Sequence, residues 1–146
     1  MYARIALCVS LLSAAACAGT APRLGVGDGR LTPCPSSPNC VSSRSADARH
    51  RVEPLSLAGN VDAGWLALKQ QVAALPRTRI VEQSPLYVRA ECRSALFGFV
   101  DDLELLLEPE SGRAQVRSAS RTGYGDMGVN RRRIEELRRA RPRAPR

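Results

Sequence analysis

The run from Val116 to Arg133, VRSASRTGYGDMGVNRRR, constrains the fold more than any other stretch. A strand-like alternation passes through a glycine-rich loop straight into a helix start that carries three arginines. The unpaired N–H groups of a helix N-terminus already bear partial positive charge, so Arg131, Arg132 and Arg133 stand where a cation is unfavourable. That charge calls for an answer: carboxylates within the protein, with Asp101, Asp102 and Asp126 as candidates, or a bound phosphate, sulfate or carboxylate. Gly123, Gly125 and Gly128 spell G-x-G-x-x-G between strand and helix. A dinucleotide-binding unit needs a further parallel strand and an acidic residue about twenty positions on, and the sequence ends within that distance. The glycines are therefore poor evidence for a nucleotide site.

Upstream, Asn60 or Asp62 can cap a helix running to about Leu75, with Val61, Trp65, Leu68, Val72 and Leu75 on one face and Pro76 stopping it. Strands are predicted over Arg79 to Glu82, Leu86 to Arg93, Leu96 to Glu108 and Arg113 to Ser120, after a short edge strand within Val52 to Leu57. Leu86, Val88, Ala90 and Cys92 alternate with Tyr87, Arg89, Glu91 and Arg93, the pattern of a half-buried antiparallel strand. EPESG, Glu108 to Gly112, is a hairpin turn. A last helix is expected from about Arg131 to Arg139, with Asn130 as N-cap and Val129 stapling onto Ile134. The order predicts an α+β domain: an antiparallel sheet of three to five strands packed on one face by two helices, with an irregular N-terminal Pro/Cys loop over Thr32 to Ser43.

The net charge of +8 hints at nucleic acid until its distribution is read. Residues 131–146 hold eight arginines against Glu135 and Glu136, so the rest of the chain is nearly balanced. A basic tail meeting anionic headgroups is the better reading, and nucleic acid is not expected. The opening MYARIALCVSLLSAAAC has a basic residue, an apolar run too short to span a bilayer, and small residues before Cys17. This predicts a signal peptide over 1–16 and a bacterial lipoprotein whose Cys17 carries diacylglycerol and palmitate; plain cleavage in the alanine run is the competing reading. A flexible tether is expected over 17–31, one globular domain over 32–140, and a disordered basic tail over 141–146. The protein is then exported to the periplasmic side of a bacterial membrane, the outer membrane if the source is Gram-negative, or otherwise secreted.

Export leaves Cys34, Cys40 and Cys92 in an oxidising compartment. Cys34 and Cys40 lie close enough around a proline-rich turn to close a small disulfide loop, though the sequence does not settle their pairing. Zinc is disfavoured, since only His50 and Cys92 remain as further ligands, and no metal or cofactor is expected. His50 reads as a solvated loop residue, and Cys92 as a buried, inert thiol.

In FGFVDDLELLLE, alternation places Phe97, Phe99, Asp101, Leu103, Leu105 and Leu107 on one face and Gly98, Val100, Asp102, Glu104 and Leu106 on the other. Asp101 thus falls among core residues and needs an arginine or backbone N–H partner. Asp102 and Glu104 share a face with Arg89, Arg93, Arg117 and Arg121 if register permits; a solvated charge ladder is the plain reading, and a polar groove for an anionic or zwitterionic ligand the functional one. No G-x-S-x-G, H-E-x-x-H or P-loop lysine motif is present, and no catalytic residue is assigned.

Three segments, CPSSPNCVSS (Cys34 to Ser43), GFVDDLEL (Gly98 to Leu105) and VRSASRTGYGDMGVNRRRIEELR (Val116 to Arg138), together resemble the bacterial and plastid family called domain of unknown function 1499, over roughly Leu31 to Arg139. The resemblance implies an exported or membrane-associated protein with no established activity. Its motif positions fall on Cys34, Pro35, Asn39 and Cys40, on Phe99, Asp101 and Asp102, and on Arg117, Ser118, Ser120, Arg121, Gly123, Asp126, Gly128, Asn130 and Arg131. None of these positions comes with an assigned role; the charged face and the glycine loop supply the ligand-binding candidates, Asp101, Asp102, Arg117, Arg121, Gly123, Tyr124, Asp126, Asn130 and Arg131. They would serve a non-enzymatic envelope lipoprotein binding a small anionic ligand or an envelope protein. The alternative is an envelope enzyme using Asp101 or Asp102 as acid or base.

Overall fold

The computed structural model describes residues 19–140. The signal peptide, lipidated Cys17 and basic tail expected at 1–16, 17 and 141–146 lie outside the described residues. Ten elements follow in order: β1 (Val26–Gly27), β2 (Arg30–Leu31), β3 (Cys40–Ser42), β4 (Leu55–Ser56), α1 (Val61–Ala74), β5 (Thr78–Gln83), β6 (Tyr87–Arg93), β7 (Val100–Glu108), β8 (Arg113–Ser120) and α2 (Val129–Arg139). The α+β class holds, but the main sheet has six strands rather than three to five. Its path is β3-β8-β7-β6-β5, with β4 also paired to β8, all antiparallel. The extra strand comes from the proline-rich N-terminal third, where Cys40–Ser42 forms an edge strand at the end of the expected loop. Two or three residues carry no readable alternation, so only the neighbouring β8 defines them as strands.

Both helices cover one face of the sheet. Trp65, Leu68 and Val72 of α1 and Ile134 and Leu137 of α2 pack on Val88, Ala90, Leu103, Leu105 and Val116. The apolar face of β6 to β8, set by period-2 alternation, and the helical spacing on α1 thus meet in one core, with Leu68, Leu103, Leu105 and Ile134 fully buried. Asn60 caps α1 through its side chain, accepting from the Ala63 N–H at 2.9 Å. Trp65 completes its burial by donating Nε1–H to the Pro85 carbonyl at 2.9 Å.

Three local expectations are corrected. Phe97 and Phe99 do not extend β7 into the core; they belong to an exposed loop, Ser94 to Phe99, closed by Ser94 N–H to the Phe99 carbonyl at 2.9 Å and Phe99 N–H to Ser94 Oγ at 3.0 Å. Asn130 is not the N-cap of α2, which begins at Val129 behind Gly128 in a left-handed conformation (φ 76°) that glycine adopts without steric cost. Val129 is therefore the first helical residue, not the one preceding a cap. Finally, much of the stretch read as a tether is built onto the sheet: β1 and β2 form a hairpin, Leu31 packs with Tyr87 and Leu106, and the Gly25 N–H donates to Glu104 Oε1 at 3.2 Å.

Candidate functional site

The second face of the sheet, away from the helices, carries a layer of charges whose partners are set by register. Glu104 of β7 stands opposite Arg89 of β6 and Arg117 of β8, and Asp102 opposite Glu91. Arg121, just beyond β8, grips Asp102 with Nε and Nη2 at 2.7 and 2.8 Å and reaches Glu91 with Nη2 at 2.7 Å. Arg117 Nη1 lies 3.1 Å from Glu104 Oε2, while the Tyr87 hydroxyl donates to Glu104 Oε1 at 2.8 Å. Because the arm of residues 19–35 lies over this face, the ladder is buried rather than solvated: Glu104 is 0% and Asp102 1% exposed. In such surroundings an unpaired charge is costly, so the fork between Arg121 and Asp102 matters more here than a surface pair does.

Titration follows the partners. Hydrogen bonding to Arg121 holds Glu91 below the usual carboxylate range, and Asp102 first, then Glu91, hold Arg121 more firmly protonated than a free guanidinium. Burial pushes Glu104 up despite its bonds to Tyr87 and Arg117. Burial, and then the charge of Glu104, push the Tyr87 phenol up as well.

Arg117 is 6% exposed, and its Nε has no hydrogen-bond partner. It lines a cavity of about 190 Å³ between the arm and the sheet, with Thr20, Pro22, Pro35, Asp102 and Arg121. That space is smaller than the pockets that enclose drug-sized ligands, and it suits a small anion or a few waters.

A second network, on the helix side, locks the glycine loop. Asn130 is fully buried; its Oδ1 accepts from Ser118 Oγ at 2.6 Å and from Arg133 Nη1 at 2.8 Å. Its Nδ2 faces the Asn39 carbonyl, Ser120 Oγ and Asp126 Oδ2 at 3.2, 3.0 and 2.9 Å. Asp126 caps the helix in place of Asn130, accepting the Gly128 and Asn130 N–H groups at 2.9 Å each. Burial opposes its ionisation, but these N–H bonds outweigh burial and lower its pKa. Asn39, next to the Cys34–Cys40 disulfide, donates Nδ2–H to the Gly123 carbonyl at 2.6 Å.

The three arginines are answered unequally. Arg133 Nη2 pairs with Asp101 Oδ2 at 2.7 Å. Arg131 donates to the Arg49 and Arg51 carbonyls, and Arg132 to the Met127 carbonyl, each at 2.7 Å. Carbonyl dipoles at close range thus serve where carboxylates were expected.

The predicted residues therefore divide. Asp102, Arg117 and Arg121 come together on the second face. Asp101, Asp126, Asn130 and Gly123 belong to the network under the loop, and Arg131 bridges to the 49–51 segment. Tyr124 is 78% exposed and joins neither set. Asp101 lines a cleft of about 410 Å³ with Thr78, Cys92, Arg132 and Arg133, but Tyr124 does not. Sequence reasoning left Glu91 and Glu104 out of the site; their alternation with Val88, Ala90 and Leu103 put them on the right face, but only register shows which arginines they meet. Asn39, Ser118 and Ser120 entered only through motif resemblance, because a polar residue's buried partner has no local signal. His50 is not solvated but 5% exposed, with Nδ1 3.9 Å from Asp47 Oδ2. Among the described residues, no three His, Cys, Asp or Glu side chains cluster to hold a metal ion.

A family model described as "Protein of unknown function (DUF1499)" matches residues 30–140. No curated protein and no solved structure matches the chain.

Proposed function

The chain belongs to the DUF1499 family, whose description assigns no activity, and from its own residues we propose that it is an exported envelope lipoprotein, anchored through Cys17, whose domain binds a small anionic ligand without catalysis. The observation that carries the binding site is the buried Arg117, which lines the 190 Å³ cavity and whose Nε has no partner within the protein. A buried guanidinium with an unsatisfied N–H beside a half-open cavity is a strong donor to a carboxylate, sulfate or phosphate oxygen. Binding rather than acid–base chemistry is favoured because Asp101 and Asp102 point to opposite faces and each is held by its own arginine, Arg133 and Arg121. Export is supported by the Cys34–Cys40 disulfide, a bond that persists in oxidising compartments, and by the signal-like opening of the sequence. The address proposed is the periplasmic side of a bacterial membrane.

The test is native mass spectrometry of protein purified from its own membrane, followed by equilibrium dialysis against inorganic phosphate, sulfate and acetate. One of these anions should bind, and the double substitution Arg117→Gln/Glu104→Gln, which removes both buried charges together, should weaken it by about tenfold or more. Absence of binding by all three anions, together with a bare native mass, would overturn the ligand reading. Absence of diacylglycerol on Cys17 in the intact mass would overturn the anchor.

A further inference from the structure

Both phenylalanines of this chain are exposed. Phe97 is 65% and Phe99 43% exposed, beside Leu96 at 87%. Across the same end of the sheet, Tyr124 and Met127 in the glycine loop are 78% and 91% exposed. The register fixes this common end: Thr78, Cys92, Asp101, Ser120 and the Cys40–Ala119 pair form its last rows, and the 94–99 and 121–128 loops continue from them. Of eight large hydrophobics exposed among the described residues, five stand in these two loops, a clustering that scattered surface leucines do not produce. The apolar loop is built rather than slack. Phe97 and Phe99 pack with centroids 5.6 Å apart, and Ser94 closes the loop through two hydrogen bonds to Phe99.

The charge at this end is complementary to an anionic surface. Arg77, Arg93 and Arg132 are exposed around the cleft between the 94–99 loop and the start of α2, with Glu136 a turn further along α2. The opposite end, at the Pro109–Gly112 turn, is balanced by comparison, with the exposed Glu110 beside the exposed Arg113. The chain also enters the domain here: Gly19 (φ 63°) lies so close to Thr122 that an added Cβ would stand 2.9 Å from its Cγ2. Cys17 is two residues earlier.

We infer that this end of the domain, with Leu96, Phe97, Phe99, Tyr124 and Met127 as apolar tips and Arg77, Arg93 and Arg132 around them, docks directly on an anionic lipid bilayer. Aromatic and aliphatic tips enter the headgroup–acyl boundary while arginines meet the phosphates, as in other interfacial anchors. The orientation agrees with the anchor proposed at Cys17 and partly rests on it; the docking surface itself does not, since its residues lie in the domain.

The experiment uses the mature protein purified from its own membrane and reconstituted with vesicles of phosphatidylcholine and phosphatidylglycerol containing brominated lipid. A fluorophore is placed at Ala95→Cys, beside the tips, or at Glu110→Cys, at the opposite end. Strong quenching at 95, none at 110, and its loss in phosphatidylcholine alone are expected. Leu96→Ser/Phe99→Ser should reduce quenching by about tenfold, since each apolar side chain withdrawn from the boundary forfeits burial. Both residues are exposed, so folding is not at stake. Equal quenching at both positions, quenching at 110 alone, or no quenching at 95 overturns the inference. The intact mass of the same sample keeps the two readings apart. Lipid on Cys17 without quenching at 95 leaves the anchor and sinks the docking surface, while quenching at 95 without lipid does the reverse.

Discussion

Replacing Asn130 by alanine tests whether the buried polar network, rather than the apolar core alone, holds the glycine loop and α2 onto the sheet. Asn130 has no solvent exposure, and its amide connects Ser118, Arg133, Asn39, Ser120 and Asp126. Two amide hydrogens shared among three acceptors, plus two bonds accepted, give about four effective bonds. At about 1 kcal/mol for a neutral bond and somewhat more for those to Arg133 and Asp126, the gross loss is about 5 kcal/mol. A water entering the vacated space restores part of it, leaving a net cost of about 3–4 kcal/mol. This is a large share of a domain's typical 5–15 kcal/mol, and it corresponds to a fall of about 10 °C or more in Tm. Urea denaturation of Asn130→Ala beside the wild type measures it directly, with the exposed Tyr124→Ala as a control expected within about 0.5 kcal/mol of wild type. The cycle with Ser118→Ala should give a coupling of about 1 kcal/mol. A cost below about 1 kcal/mol for Asn130→Ala, with an unchanged m-value, would refute the reasoning.

Reducing the Cys34–Cys40 bond, or substituting both cysteines by serine, should lower stability by about 2 kcal/mol, the loop-closure value for so short a ring; denaturation with and without a phosphine reductant reads this, and an unchanged midpoint contradicts it. The pH dependence should carry two opposite signatures. Asp126 has a folded pKa below its unfolded one, so its contribution is present above the ordinary carboxylate pKa and lost as pH falls through the folded value. Asp126→Asn should therefore flatten the loss of stability on acidification. Glu104 has a raised folded pKa, so its contribution is present below the ordinary value and lost as pH rises through the folded one. Glu104→Gln should accordingly be less harmful at neutral pH than near pH 4, and denaturation midpoints across that range that move the other way would exclude this assignment.

Much of the architecture was legible because it depends on local periodicity. Period-2 alternation assigned Leu103, Leu105 and Leu107 to the helix side and Asp102 and Glu104 to the other, and both assignments hold. The stripe Trp65, Leu68, Val72 likewise placed α1 nearly to the residue, while the choice of cap between Asn60 and Asp62 fell to Asn60 only in the structure. The same reasoning failed where alternation ran past the real strand end. Phe97 and Phe99 continued the pattern in sequence but left the sheet before Val100, because a hairpin loop closes between Ser94 and Phe99. The three-residue strand Cys40–Ser42 escaped notice inside the proline-rich loop, since nothing local distinguishes it from coil, whereas Leu55–Ser56 falls within the edge strand expected over Val52 to Leu57.

The sequence alone determined the class of the domain, the face on which each charged strand residue lies, and the need of Arg131, Arg132 and Arg133 for acceptors at a helix start. Those follow from the pleat, the helical repeat and the dipole, all functions of nearby residues. Only the tertiary structure decided which acceptor each charge meets: Asp101 for Arg133, Asp102 and Glu91 for Arg121, Glu104 for Arg117, and plain carbonyls for Arg131 and Arg132. It also decided that the charged face is buried, because residues 19–35 lie over it. Register and coverage are set by contacts between segments up to about a hundred residues apart, whose geometry depends on how the whole chain packs.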